Sequence, residues 1–144
     1  MLVSFSGPRG GKLDEGLTAY AYVAMESFAR QLNIHRLKIN YRINLHHSLH
    51  VDNSQCAEGL CLSLDQRNFE IDVALYGNWL STLAHEMVHV KQFARNELDA
   101  NLSRWKSRGH ANTEYWDQPW EKEARRLQHK LVAKFTEELD ECWK

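Results

Sequence analysis

The 144 residues carry 18 basic and 19 acidic side chains, a net charge of -1, and 43% are hydrophobic. That balance fits one globular domain with a core, expected over residues 1–144, and lacks the bulk positive charge on which nucleic-acid binding rests. No apolar run is long enough to span a membrane, MLVSFSGPRGGK has no signal-peptide core, and the three cysteines Cys56, Cys61 and Cys142 cannot form an even disulfide framework, so a cytoplasmic chain with free thiols is expected.

Residues 1–12 read as a flexible N-terminal segment, with SGPRGGK as a turn whose spacing does not match a phosphate-binding loop. Asp14 then precedes a helical pattern over 14–32, with Leu17, Tyr20, Ala21, Ala24, Phe28 and Leu32 at helical spacing. Asp14 and Glu15 suit the first turn, where the helix dipole favours negative charge. RLKINYRINL alternates: Leu37, Ile39, Tyr41, Ile43 and Leu45 share one side of a strand, while Lys38, Asn40, Arg42 and Asn44 take the other. His46, His47 and His50 follow in a polar stretch that reads as a surface loop. GLCLSL at 59–64 is a second strand, Asp65 to Asn68 a turn, and FEIDVAL at 69–75 a third strand through Phe69, Ile71, Val73 and Leu75.

WLSTLAHEMVHVKQF, residues 79–93, contains HExxH as His85, Glu86 and His89. It lacks Gly and Pro, has an apolar side of Leu80, Leu83, Ala84, Met87 and Val88, and can be capped by Asn78 or Ser81. Four-residue spacing places both imidazoles on one helix face, where they can hold one Zn2+ with Glu86 beside it as general base. Gln92 supports this site or lies on the surface. A catalytic zinc takes three protein ligands and an open water position, so a further ligand must come from downstream. NELDANLSRWKS, 96–107, reads as a further helix with Leu98, Leu102 and Trp105 at helical spacing. Residues 107–118 form an irregular loop holding His110, Tyr115 and Trp116. Pro119 opens the last helix, Asp117 can cap it, and Trp120, Ala124, Leu127, Leu131, Phe135 and Leu139 line one face. Glu121 and Glu123 both stand in its first turn. Two positions along a helix point about 200° apart, so the two cannot readily share one metal.

The order of helix, strands, HExxH helix and a helix bearing glutamate resembles the minimal zincin fold of thermolysin-like metallopeptidases, of gluzincin type. PWEKEA also resembles small phage and bacterial metallopeptidases described as SprT-like. The resemblance implies an α/β (α+β) fold. In it a short, mostly antiparallel or mixed sheet packs against the N-terminal and HExxH helices, and the C-terminal helix closes it. It implies that the strand before the HExxH helix, 69–75 here, is the sheet edge along which an extended peptide lies. It also implies a glutamate ligand three residues before a small residue, a relation that Glu121 and Ala124 meet. The family's Asp or Asn one position further on, which supports the histidine ligands, is Arg125 here. Glu123 is the alternative ligand, and His110 takes that place if the SprT pattern holds. The expectation is a zinc metallopeptidase with His85, His89 and Glu121 as ligands, Glu86 as base and Tyr115 stabilising the oxyanion, acting on extended or locally unfolded peptide. The alternative is a metal-bearing peptide-recognition or regulatory module with little turnover.

Overall fold

The computed structural model describes residues 1–7, 13–47, 49–51 and 55–143. Strands β1 (Leu2–Ser6), β2 (Asn40–His46), β5 (Gly59–Ser63) and β6 (Asn68–Ala74) form one sheet in the order β1-β2-β6-β5. The first three are mutually parallel and β5 runs antiparallel to β6, so the sheet is mixed. A parallel pair needs a crossover, and helix α1 (Glu15–Gln31) supplies it between β1 and β2. Two three-residue strands, β3 (Leu49–Val51) and β4 (Gln55–Ala57), pair where a surface loop was expected. The side chains of His50 and Cys56 lie outside the described residues, as do residues 8–12, where a glycine-rich turn was expected.

Period-2 patterning sets the faces of the sheet. Tyr41, Ile43 and Leu45 of β2 and Phe69, Ile71 and Val73 of β6 are buried and in register, and join Ala24, Met25 and Phe28 of α1 in the core. The other face carries Asn40, Arg42, Asn44, Glu70 and Asp72, linked by hydrogen bonds such as Asn44 Nδ2 to Glu70 Oε1 at 2.8 Å. The turn between β5 and β6 closes on Asp65, whose Oδ1 accepts from the backbone of Arg67 at 2.7 Å and Asn68 at 2.9 Å.

Helix α2 (Trp79–Ala94) lies on β5 and β6, and α3 (Pro119–Cys142) packs along α2 and α1. Asp14 caps α1 by accepting from Leu17 N at 3.0 Å. Pro119 begins α3, and Gln118 rather than Asp117 is its N-cap, without a side-chain cap bond. Helices α1 and α2 end alike: Asn33 (φ 60) and Asn96 (φ 58) adopt the left-handed conformation. Ile34 N reaches Ala29 O and Glu97 N reaches Gln92 O, the wrap that satisfies the last helical carbonyls.

Three further expectations are corrected. Residues 2–6 of the segment expected to be flexible form β1. Residues 96–107 are not a helix: past Asn96 the chain makes short strands β7 (Arg104–Trp105) and β8 (Arg108–Gly109), and Leu98 bridges Trp105. Asp99 holds that loop by accepting from the backbone N–H of Ser103 at 2.7 Å and of Arg104 at 2.9 Å, a competition with helix that short acidic side chains win readily. The edge beside α2 is β5, because β6 sits between β2 and β5. Among the described residues no helix is long and apolar enough to cross a membrane.

Candidate metal centre

Helix α2 carries His85 and His89 one turn apart, with ring centroids 5.0 Å apart and nearly perpendicular planes. The first turn of α3 brings Glu121 to both: His85 Nε2 is 3.1 Å from Oε2 and His89 Nε2 is 3.1 Å from Oε1. The three ligand atoms lie within 4.8 Å of one another, and His89 and Glu121 are buried.

Each imidazole is held from behind. His85 Nδ1 donates to Gln128 Oε1 at 2.6 Å, and His89 Nδ1 donates to Gln92 Oε1 at 2.8 Å. The orientation of Gln92 is fixed independently, because its Nε2 donates to the Trp120 carbonyl at 2.9 Å and to Glu123 Oε1 at 3.2 Å. With Nδ1 of each ring donating, both Nε2 lone pairs face the Glu121 carboxylate. Three such centres in a buried site hold together only around positive charge, whether a divalent cation or protons on the rings. The electrostatics agree. Burial works against charge on His89, but the Glu121 carboxylate outweighs it and lifts the imidazole to about 9. Burial is likewise overcome at Glu121, where the two histidines hold the carboxyl far below the usual range. Two neutral nitrogens and one carboxylate suit zinc. The residues therefore fit the ion that HExxH implies.

Glu86 is buried beside this triad but is not one of its three groups. Burial pushes its carboxyl upward, while His89 and His85 pull it down. It also sits under β5: a Cβ on Gly59 would meet Thr82 Cγ2 at 2.6 Å, Glu86 Oε1 at 3.1 Å and Glu86 Cγ at 3.2 Å. Only glycine lets the edge strand approach the helix this closely.

The remaining candidates separate. Glu123 turns away from the triad and accepts from Lys91 Nζ at 2.9 Å. His110 pairs through Nδ1 with Thr113 Oγ1 at 3.1 Å and stands edge-on to Trp120. Tyr115 lies at the site, its phenol donating to Glu121 Oε2 at 3.1 Å and its ring edge-on to Trp116. Burial and the Glu121 charge push that phenol up to about 12, so it remains a donor at neutral pH. His46, which reads as part of a surface loop, instead ends β2 and reaches Asp72 Oδ1 at 2.8 Å through Nε2.

Against protein-family models, curated proteins and solved structures, nothing matches this chain. The ligand set is accordingly read from its own geometry. His85, His89 and Glu121, with four-residue histidine spacing and a downstream glutamate, make the buried triad typical of gluzincin metallopeptidases and of zinc metallohydrolases generally.

Two supporting residues escape the sequence reading. Gln128 takes the histidine-supporting role that the resemblance assigns to position 125, and its signal is its place seven residues, two helical turns, past Glu121. Gly59 is signalled only as a glycine inside a strand pattern. The cleft over the triad has two compartments that share Gly59, His85, Glu86 and Tyr115. One, of about 350 Å³, adds Trp116 and Arg125; the other, of about 240 Å³, adds Phe93, Leu102 and Trp120.

Proposed function

We propose that the chain is a single-domain zinc-dependent metallopeptidase acting on extended or locally unfolded peptide. One observation carries the reading: three ligand atoms converge in a buried site, and the neighbouring carboxylate of Glu86 is left out of that set. A purely structural zinc site uses four protein ligands and needs no such base. His85, His89 and Glu121 would hold the zinc, which would supply a lowered pKa for the attacking water and polarisation of the scissile carbonyl.

The chain's own groups do the rest. Glu86, raised by burial, takes the proton of the attacking water and returns it to the leaving amine. Tyr115 donates its phenolic hydrogen to the oxygen that becomes negative as the carbonyl carbon turns tetrahedral. Gln92 and Gln128 keep the two imidazoles in the tautomer that leaves Nε2 free for the ion. The exposed edge strand β5 offers backbone groups to an extended peptide, and Gly59 keeps that edge against the Glu86 carboxylate. A cytoplasmic location belongs to the same proposal and accords with free thiols at Cys61 and Cys142.

The test is Glu86→Gln. The variant keeps stoichiometric zinc by elemental analysis and loses peptide hydrolysis by about a hundredfold or more, the scale of general-base catalysis. Full turnover by the zinc-loaded variant rules out the assignment, and loss of zinc from it makes Glu86 a ligand instead.

A further inference from the structure

Arg125 is the cation of the cleft that this chemistry leaves unused. It lines the 350 Å³ compartment together with His85, Glu86 and Tyr115. Its guanidinium is fixed by two contacts with one residue: Nη2 donates to the Trp116 carbonyl at 2.7 Å, and the group lies over the Trp116 ring, 4.6 Å from its centroid. Its Nη1 is buried and, among the described residues, has no hydrogen-bond partner. Among the described residues no carboxylate forms an ion pair with Arg125; Glu58, which lines the same compartment, does not.

A guanidinium is charged at every accessible pH, and its planar fork matches a carboxylate with two parallel hydrogen bonds. A buried donor of such a group is unfavourable until an acceptor meets it. The other compartment adds the apolar side chains of Phe93, Leu102 and Trp120 beside the triad. A peptide lying across the triad thus meets a fixed cation in one compartment and apolar side chains in the other. We propose that Arg125 is a specificity-determining residue, binding a carboxylate that the substrate carries beside the scissile bond. That carboxylate comes from an acidic side chain or from a free C-terminus, and the proposal rests on the peptidase reading.

The test measures binding to the full chain carrying Glu86→Gln, which prevents turnover. The probes are acetylated and amidated Ala-Ala-Glu-Ala-Ala against its Gln counterpart, and acetylated tetra-alanine as free acid against its amide. Titration calorimetry gives the affinities, and zinc is measured in the same samples. At least one acidic probe binds on the order of tenfold more tightly than its neutral partner, the scale of a charge-assisted hydrogen bond. Preference for the glutamate peptide assigns a side-chain carboxylate, and preference for the free acid assigns a C-terminus. Arg125→Gln abolishes the preference, Arg125→Lys keeps part of it, and circular dichroism verifies the fold of each. Equal binding of acidic and neutral probes, or a preference that survives Arg125→Gln, overturns the proposal. Zinc-loaded protein without the preference removes this proposal alone. Protein that takes up no zinc yet shows an Arg125-dependent preference keeps the carboxylate site and removes the peptidase reading.

Discussion

Gln92 joins the two helices of the metal centre: its Oε1 accepts from His89 Nδ1 at 2.8 Å, and its Nε2 donates to the Trp120 carbonyl at 2.9 Å. It is fully buried, so both ends of the amide depend on these partners. Gln92→Ala leaves the His89 N–H without its acceptor, removes the donor that reaches the Trp120 carbonyl and frees the ring to turn. The expected loss is about 10- to 100-fold in zinc affinity and about 1–3 kcal/mol in stability. Competition with a chromophoric chelator and urea unfolding measure the two. Unchanged zinc affinity would show that His89 needs no such support.

Gly59 sets how near the edge strand lies to Glu86. In Gly59→Ala the added methyl would stand 2.6 Å from Thr82 Cγ2 and 3.1 Å from Glu86 Oε1, so Thr82 or the strand must shift and the carboxylate is crowded. Misplacement of a catalytic group by about 1 Å is worth on the order of a hundredfold in rate. The variant retains zinc, since no ligand is touched, and falls in kcat. Rates equal to those of the unsubstituted protein would mean that Glu86 tolerates the displacement.

The loop after α2 has its own pH dependence. Burial pushes the Asp99 carboxyl up, but the backbone N–H groups of Arg104 and Ser103 outweigh it and hold it below its ordinary 3.8. A carboxylate depressed on folding contributes stability that is present above its unfolded pKa and lost as pH falls through the folded value. The 99–109 loop is therefore expected to hold at neutral pH and to loosen only below about pH 4. Carboxyl titration by NMR reports a midpoint under 3.8 for Asp99. A midpoint at or above that value contradicts the role given to these bonds.

Asn96 closes α2 in the left-handed conformation. Asn96→Val imposes that conformation on a β-branched residue, at about 1–2 kcal/mol, whereas Asn96→Gly is neutral or mildly stabilising. Thermal unfolding of the pair checks this; equal melting temperatures would remove the conformational argument.

The parts of this fold that were legible in the sequence are those with a clean period. Tyr41, Ile43 and Leu45, and again Phe69, Ile71 and Val73, announce strands because one face is buried and the other polar. The α3 stripe and Pro119 placed Glu121 on an ordered helix, where the structure has it. Strand β1 was illegible because five residues ahead of a glycine-rich stretch carry too little pattern, and its pairing with β2 spans a whole helix. The helix expected over 96–107 rested on three apolar residues whose spacing is incidental. Asn96 as a left-handed terminator and Asp99 as a turn former override it. Gln128 is not legible from the family pattern, which points to position 125, where Arg125 faces Trp116 instead.

The central claim is that His85, His89 and Glu121 together hold one zinc ion. An anomalous difference map at the zinc absorption edge, from crystals of protein purified without added metal, tests it most directly. The predicted result is one peak bonded to His85 Nε2, His89 Nε2 and a Glu121 oxygen at roughly 2.0–2.2 Å, with Glu86 outside the coordination sphere. A peak completed by His110 or Glu123 in place of Glu121, or no peak at this site in zinc-soaked crystals, contradicts it.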